Sequence, residues 1–214
     1  MDNNEILSHV DHTLLKPFAT WDQIRQLCDE AVANRTASVC VPPCYVKKIR
    51  MNYPNLTICT VVGFPLGYET TAGKLADTKQ ALADGADEID MVINICEVKN
   101  GNFDFVEDEI KQLKSATGAN ILKVIIETCY LTDDEKRRLC KCVTDAGADY
   151  IKTSTGFGTA GAVLDDIRLF RQELGENVKI KAAGGIKTAK DAVMFIENGC
   201  ERIGASSVVG DIHA

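Results

Sequence analysis

Three lysines and an aspartate stand where strand-like runs should be apolar. Ile121-Leu-Lys-Val-Ile-Ile126 carries Lys123, Tyr150-Ile-Lys-Thr-Ser154 carries Lys152, and Lys179-Ile-Lys-Ala-Ala183 carries Lys181. Glu88-Ile-Asp-Met-Val-Ile-Asn94 carries Asp90. Side chains alternate along a strand, so Ile151 and Thr153 face away from Lys152, and the lysines and Asp90 are expected to point to the opposite, inner face. For any single lysine, a solvated place at a strand end is the alternative reading. A cluster of them needs a reason, because a buried ammonium is costly unless paired.

Carbonyl chemistry supplies that reason. A poorly solvated lysine beside another cation gives up its proton more readily, leaving free amine near neutral pH. Such an amine attacks an aldehyde or ketone to form an iminium, an electron sink for carbon–carbon cleavage. Lys152 and Lys181 occupy equivalent points on neighbouring runs, so one suits the nucleophile and the other the cationic neighbour. Asp90, and Lys181 itself, are candidates to move protons.

A second set of residues is glycine-rich and comes late. Thr153-Ser-Thr-Gly-Phe-Gly158, Ala183-Gly-Gly-Ile186 and Gly204-Ala-Ser-Ser207 each follow a strand-like run. Glycines let backbone N–H groups approach a ligand closely, and serine hydroxyls add donors. Each loop alone reads as a tight turn; three at one end of consecutive strands suit a phosphorylated substrate.

The elements that must position these residues alternate along the whole chain. Strands are expected at 10–15, 38–41, 57–62, 88–94, 121–126, 150–154, 179–183 and 202–204. Helices are expected at 20–33, 44–51, 71–84, 103–117, 133–146, 160–173 and 188–198. Thr20 with Gln23, and Thr132 with Glu135, have the spacing of capping boxes. A weak repeat, Ala83–Asp90, Asp145–Lys152 and Glu197–Gly204, ends each helix at a glycine before an apolar strand. This pattern points to a single-domain α/β chain over 1–214, a closed (β/α)8 TIM barrel. A doubly wound open sheet is the alternative, but no GxGxxG follows the first strand.

Composition narrows the partners. A net charge of −7 and a pI near 5.0 disfavour nucleic acid and anionic membranes, so a phosphorylated ligand needs a local site. No apolar run reaches the roughly 20 residues of a membrane helix. Nine cysteines at irregular spacings, after a polar N-terminus, fit reduced thiols in a cytoplasmic protein. Pairs such as Cys40/Cys44 and Cys140/Cys142 lack the second ligand pair of a zinc site, so no metal is expected.

Taken together, Asp11–Pro17, Val61–Gly67, Glu88–Asn94, Leu122–Thr128, Ile151–Gly158, Lys181–Gly185 and Arg202–Ser207 resemble the deoxyribose-phosphate aldolase family, in order and over nearly the whole chain. The resemblance implies reversible cleavage of 2-deoxy-D-ribose 5-phosphate to D-glyceraldehyde 3-phosphate and acetaldehyde, in deoxyribose catabolism. It implies no cofactor beyond a covalent Schiff base on Lys152, with Lys181 and Asp90 in the proton relay. It implies polar substrate contacts at Asp11, Thr13 and Lys123, and phosphate contacts at Gly156, Gly184, Gly185, Ser206 and Ser207. Cys40 matches a cysteine near the family's substrate channel; a small buried side chain is its alternative role. A homodimer is expected on the same ground. Asp77 and Thr159–Ala162 depart from the usual pattern, and seven residues follow Ser207 where longer relatives carry a further helix and a tail tyrosine.

Three rival readings stay open. Another Schiff-base aldolase would share Lys152 but not the ordered motifs. A metal-dependent lyase or phosphosugar isomerase is disfavoured by the scarcity of histidine. A non-catalytic binding protein would keep the glycine loops without the lysine pair.

Overall fold

Aliphatic and β-branched runs form the strands of the computed structural model, which describes residues 1–213. They are β1 (Val10–Thr13), β2 (Ser38–Val41), β3 (Ile58–Val62), β4 (Glu88–Val92), β5 (Ile121–Ile125), β6 (Tyr150–Lys152), β7 (Lys179–Ala183) and β8 (Arg202–Ala205). Each pairs in parallel with the next, and β8 returns to β1, closing the eight-stranded barrel. The TIM-barrel expectation holds.

Around the strands lie α1 (Asn3–Ser8), α2 (Trp21–Asn34), α3 (Val46–Asn52), α4 (Thr71–Ala83), α5 (Ile95–Lys99) and α6 (Phe103–Thr117). They continue with α7 (Asp133–Asp145), α8 (Leu164–Glu173), α9 (Ala189–Glu197) and α10 (Val208–Ile212). Outward strand residues such as Val39, Ile89, Val124, Ile151, Ile180 and Ile203 are buried against these helices in the main apolar core. Removing such surface from water is the principal drive to close the barrel. Both capping boxes form, Thr20 with Gln23 and Thr132 with Glu135. The repeated glycines, Gly85, Gly147 and Gly199, all take the positive φ that lets a helix turn directly into the next strand.

The elements differ from expectation where loops serve the barrel mouth. The helix expected from residue 160 starts at Leu164, because Ala162 N–H donates to the Ala183 and Gly184 carbonyls at the end of β7. β4 stops at Val92, and Asn94 instead caps α5, accepting from the Glu97 N–H at 3.3 Å. The short helices α1, α5 and α10 carry too few residues for a helical period to show in sequence.

Candidate active site

Register brings the awkward polar residues into one layer. Lys152 pairs with Lys181 across β6 and β7, and Asp90 pairs with Lys123 across β4 and β5. All four point into the barrel, and Asp90, Lys123 and Lys181 are completely buried. Lys152 alone among the three lysines keeps any exposure, 3%, and it opens onto a cavity of about 360 Å³ at the C-terminal ends of the strands.

Asp90 is the hub. Its Oδ2 accepts from Lys152 Nζ and from Lys181 Nζ, both at 2.7 Å, and its Oδ1 accepts from Lys123 Nζ at 2.9 Å. Asp11 Oδ2 lies 2.5 Å from Lys181 Nζ on the other side. Below this layer, Glu88 binds Lys123 at 2.5 Å and Arg202 at 2.8 Å, while Arg202 also binds Asp11. Gly204 makes room for the Lys181 stem, since a Cβ there would sit 3.2 Å from Lys181 Cε.

Burial opposes charge on Lys181, but Asp11 and Asp90 outweigh it and hold the ammonium above the usual lysine range. Lys123 is raised in the same way, burial being overcome chiefly by Asp90. Burial likewise opposes charge on Asp90 and Asp11, yet the surrounding cations hold both carboxyls below their usual range. Lys181 is therefore a firm cation, and Asp90 is the group that touches both amines.

The interior charges do not balance, and Lys152 is the amine that reaches the cavity. Four cations, Lys123, Lys152, Lys181 and Arg202, face three carboxylates, Asp11, Glu88 and Asp90. With every group charged the interior carries one positive charge in excess. Lys152 contacts a single carboxylate and, unlike Lys123 and Lys181, lines the cavity.

These shifts also set a pH profile. The depressed values of Asp11 and Asp90 give stability that is complete above the ordinary carboxylate range and is lost as pH falls toward their folded values. The raised values of Lys123 and Lys181 give stability that is complete below the ordinary lysine range and is lost as pH rises through it and beyond. Melting temperature is expected to be flat from about pH 5 to about pH 9 and to fall on both sides. A melting series across pH checks this, and a maximum confined to one end contradicts it.

The cavity gathers some expected residues and leaves others beneath it. Thr13, Lys152, Gly156, Gly184, Gly185 and Ser206 line it. Gly184 and Gly185 have φ of +82° and +79°, and a Cβ at Gly161 would lie 2.2 Å from the Gly184 carbonyl oxygen. The loops after β6 and β7 thus meet backbone to backbone, which only glycine permits. Ser207 does not line the cavity; its hydroxyl donates to the Lys187 carbonyl at 2.8 Å. Asp11 and Lys123 hold the ion cluster below the floor instead of facing the cavity. Cys40 is buried with Cys59 and Val61 beneath Leu15 and Phe64. Hydrogen bonding with Cys59 draws the Cys40 thiol below its usual value, whereas burial pushes Cys59 well above it.

Cys40 is buried whereas Cys44 is exposed, and no group of possible ligand atoms among the described residues joins them. Two buried groups, Cys40–Cys59–Asp90 and Asp11–Cys59–Glu88, have donor atoms close enough for an ion. The ammonium groups and guanidinium around them oppose a further cation.

Three contributors had no role assigned from sequence. Glu88 and Arg202 lie two residues before Asp90 and Gly204 on the same inner face, so strand alternation could have exposed them. Glu127 gave no such signal. It takes a left-handed φ of +45°, and its buried carboxylate accepts from the Thr155 N–H at 3.3 Å and from the Thr155 hydroxyl, holding the loop that carries Gly156.

Known proteins share this arrangement's sequence and fold. A model described as DeoC/LacD family aldolase matches residues 6–209. A deoxyribose-phosphate aldolase of Clostridium botulinum (strain Eklund 17B / Type B) is 64% identical over 98% of this chain and 96% of its own. That of Clostridioides difficile (strain 630) is 56% identical over 95% of this chain and 93% of its own. The solved structure of QR15, an aldolase, superposes with a TM-score of 0.94 at 35% identity, covering 98% of this chain and 95% of that one. The tetrameric deoxyribose phosphate aldolase of Aeropyrum pernix does so with 0.89 at 31% identity, covering 99% and 91%. A lysine-lined barrel floor, a glycine-walled cavity above it and this extent of likeness converge: the chain belongs to the DeoC/LacD family of aldolases.

Proposed function

We propose that this chain is a deoxyribose-phosphate aldolase, cleaving 2-deoxy-D-ribose 5-phosphate reversibly to D-glyceraldehyde 3-phosphate and acetaldehyde through a Schiff base on Lys152. The observation that carries the reading is Asp90 Oδ2 held 2.7 Å from both Lys152 Nζ and Lys181 Nζ at the floor of the cavity. The names of the close relatives support the substrate.

The chemistry follows from that geometry. The neutral Lys152 amine attacks the C1 aldehyde carbon, and the carbinolamine loses water to give an iminium. A base takes the C3 hydroxyl proton, the C2–C3 bond breaks, and its electron pair moves into the iminium as an enamine. Glyceraldehyde 3-phosphate leaves. Protonation of the enamine carbon and addition of water then release acetaldehyde and restore the amine. The iminium is the electron sink, so the scheme requires no further cofactor. Asp90, hydrogen-bonded to both Lys152 and Lys181, is the proposed proton relay at the nitrogen, and Lys181 its cationic neighbour. Gly156, Gly184, Gly185 and Ser206 are the proposed phosphate contacts, and Thr13 a contact of the sugar.

Trapping tests the reading. The protein is incubated with acetaldehyde or 2-deoxyribose 5-phosphate, reduced with borohydride and mapped by mass spectrometry. A reduced adduct on Lys152 is expected, of two carbons from acetaldehyde. An unmodified Lys152, or an adduct on another lysine, overturns it. The cytosol is the proposed location, consistent with nine free thiols. No helix among the described residues is long and apolar enough to cross a membrane. A homodimer is the proposed assembly, which light scattering measures directly.

A further inference from the structure

The cavity lining holds two cations, Lys16 and Lys152, and no carboxylate. The rest of its polar surface is neutral, hydroxyls and glycine backbone. Lys152 is committed to the carbonyl end of the substrate. A phosphate monoester carries a charge of about −1.5 to −2 near neutral pH, and it approaches a protein whose net charge is −7. The bulk field repels such a ligand, so a local positive group must offset it. Lys16 is the remaining cation in reach.

Its backbone is fixed while its ammonium is free. Leu14 N–H donates to the Cys40 carbonyl at 3.0 Å, extending the β1 ladder by one bond. Leu15 packs on Cys40, Cys59 and Val61. Ala19 N–H donates to the Lys16 carbonyl at 3.0 Å, closing a turn whose second residue is Pro17. Proline presets the dihedral that this position needs. The ammonium's one contact among the described residues is the Phe18 ring, 5.8 Å from its centroid, a weak attraction at an exposed site. Ser206, Gly184 and Gly185 line the same cavity, and Ser206 also borders the neighbouring depression that Lys16 lines.

We propose that Lys16 reads the charge of the substrate's phosphate and sets the preference for phosphorylated over unphosphorylated sugar. It acts at the rim, as a long flexible cation reaching a group that neutral donors already orient. The inference rests on the substrate proposed above. Lys187 is the control: it is exposed on the loop after β7, its carbonyl accepts from Ser207, and it does not line the cavity.

The test compares kcat/KM for 2-deoxyribose 5-phosphate with that for 2-deoxyribose in the native protein, Lys16→Gln, Lys16→Arg and Lys187→Gln. In Lys16→Gln the ratio is expected to fall about tenfold through KM for the phosphorylated sugar, the size of one charge-assisted hydrogen bond. Lys16→Arg restores the ratio, and Lys187→Gln keeps it. Added salt narrows the gap between native and Lys16→Gln, since exposed charges are screened. Equal losses on both sugars, or an equal fall in Lys187→Gln, overturns the proposal. Borohydride trapping of acetaldehyde on Lys152 in Lys16→Gln shows that the site is formed. Failure of that trapping in the native protein sinks the proposed reaction instead of the role of Lys16.

Discussion

Replacing Lys152 by methionine is expected to lower kcat on the order of 10⁶-fold, the scale of losing a catalytic nucleophile, while leaving the melting temperature unchanged or higher. The two effects part because of the charge count. Lys152→Met removes the amine that forms the Schiff base, yet it leaves three cations facing three carboxylates. Asp90 loses one of three ammonium partners and keeps Lys181 at 2.7 Å and Lys123 at 2.9 Å. Breaking an ordinary buried pair costs about 3–5 kcal/mol because it strands a charge; here no charge is stranded. Measured kcat and a thermal melt check both halves. Turnover near the native value removes Lys152 from the chemistry. A melting loss of roughly 6 °C or more, about 3 kcal/mol for a chain of this size, contradicts the surplus of positive charge.

The barrel was legible because its signals are local and repeated. Apolar runs alternate with amphipathic ones, and Gly85, Gly147 and Gly199 punctuate the turns into β4, β6 and β8. The lysines were legible for the opposite reason, as polar interruptions of runs that should be apolar, and alternation alone turned them inward. What the sequence could not order was depth. Asp11, Lys123 and Thr13 were alike expected as polar substrate contacts, yet Thr13 lines the cavity while Asp11 and Lys123 lie under its floor. Depth along the barrel depends on strand stagger, which register fixes and spacing does not. Ser206 and Ser207 differ in the same way. Neighbours in the chain, they part because the second hydroxyl turns to the Lys187 carbonyl. Glu127 was hidden because its left-handed backbone belongs to a residue type that rarely takes it.

Asp90→Asn is expected to act on fold and chemistry together, the reverse of Lys152→Met. It leaves Lys123, Lys152, Lys181 and Arg202 facing only Asp11 and Glu88, so the surplus grows from one positive charge to two. The loss of stability should be about 3–5 kcal/mol, or roughly 10 °C in melting temperature. Turnover should fall by about 10² to 10⁴, the usual worth of a positioned proton-transfer group. The double variant Asp90→Asn/Lys152→Met separates charge balance from packing. It has three cations and two carboxylates, the native surplus, and should melt above the Asp90→Asn single variant despite carrying a second substitution. Groups in contact are coupled by about 0.5–3 kcal/mol in such cycles. A double variant that melts below Asp90→Asn would mean that Asp90 holds the barrel through shape and hydrogen bonding, not by offsetting the charge of the amines around it.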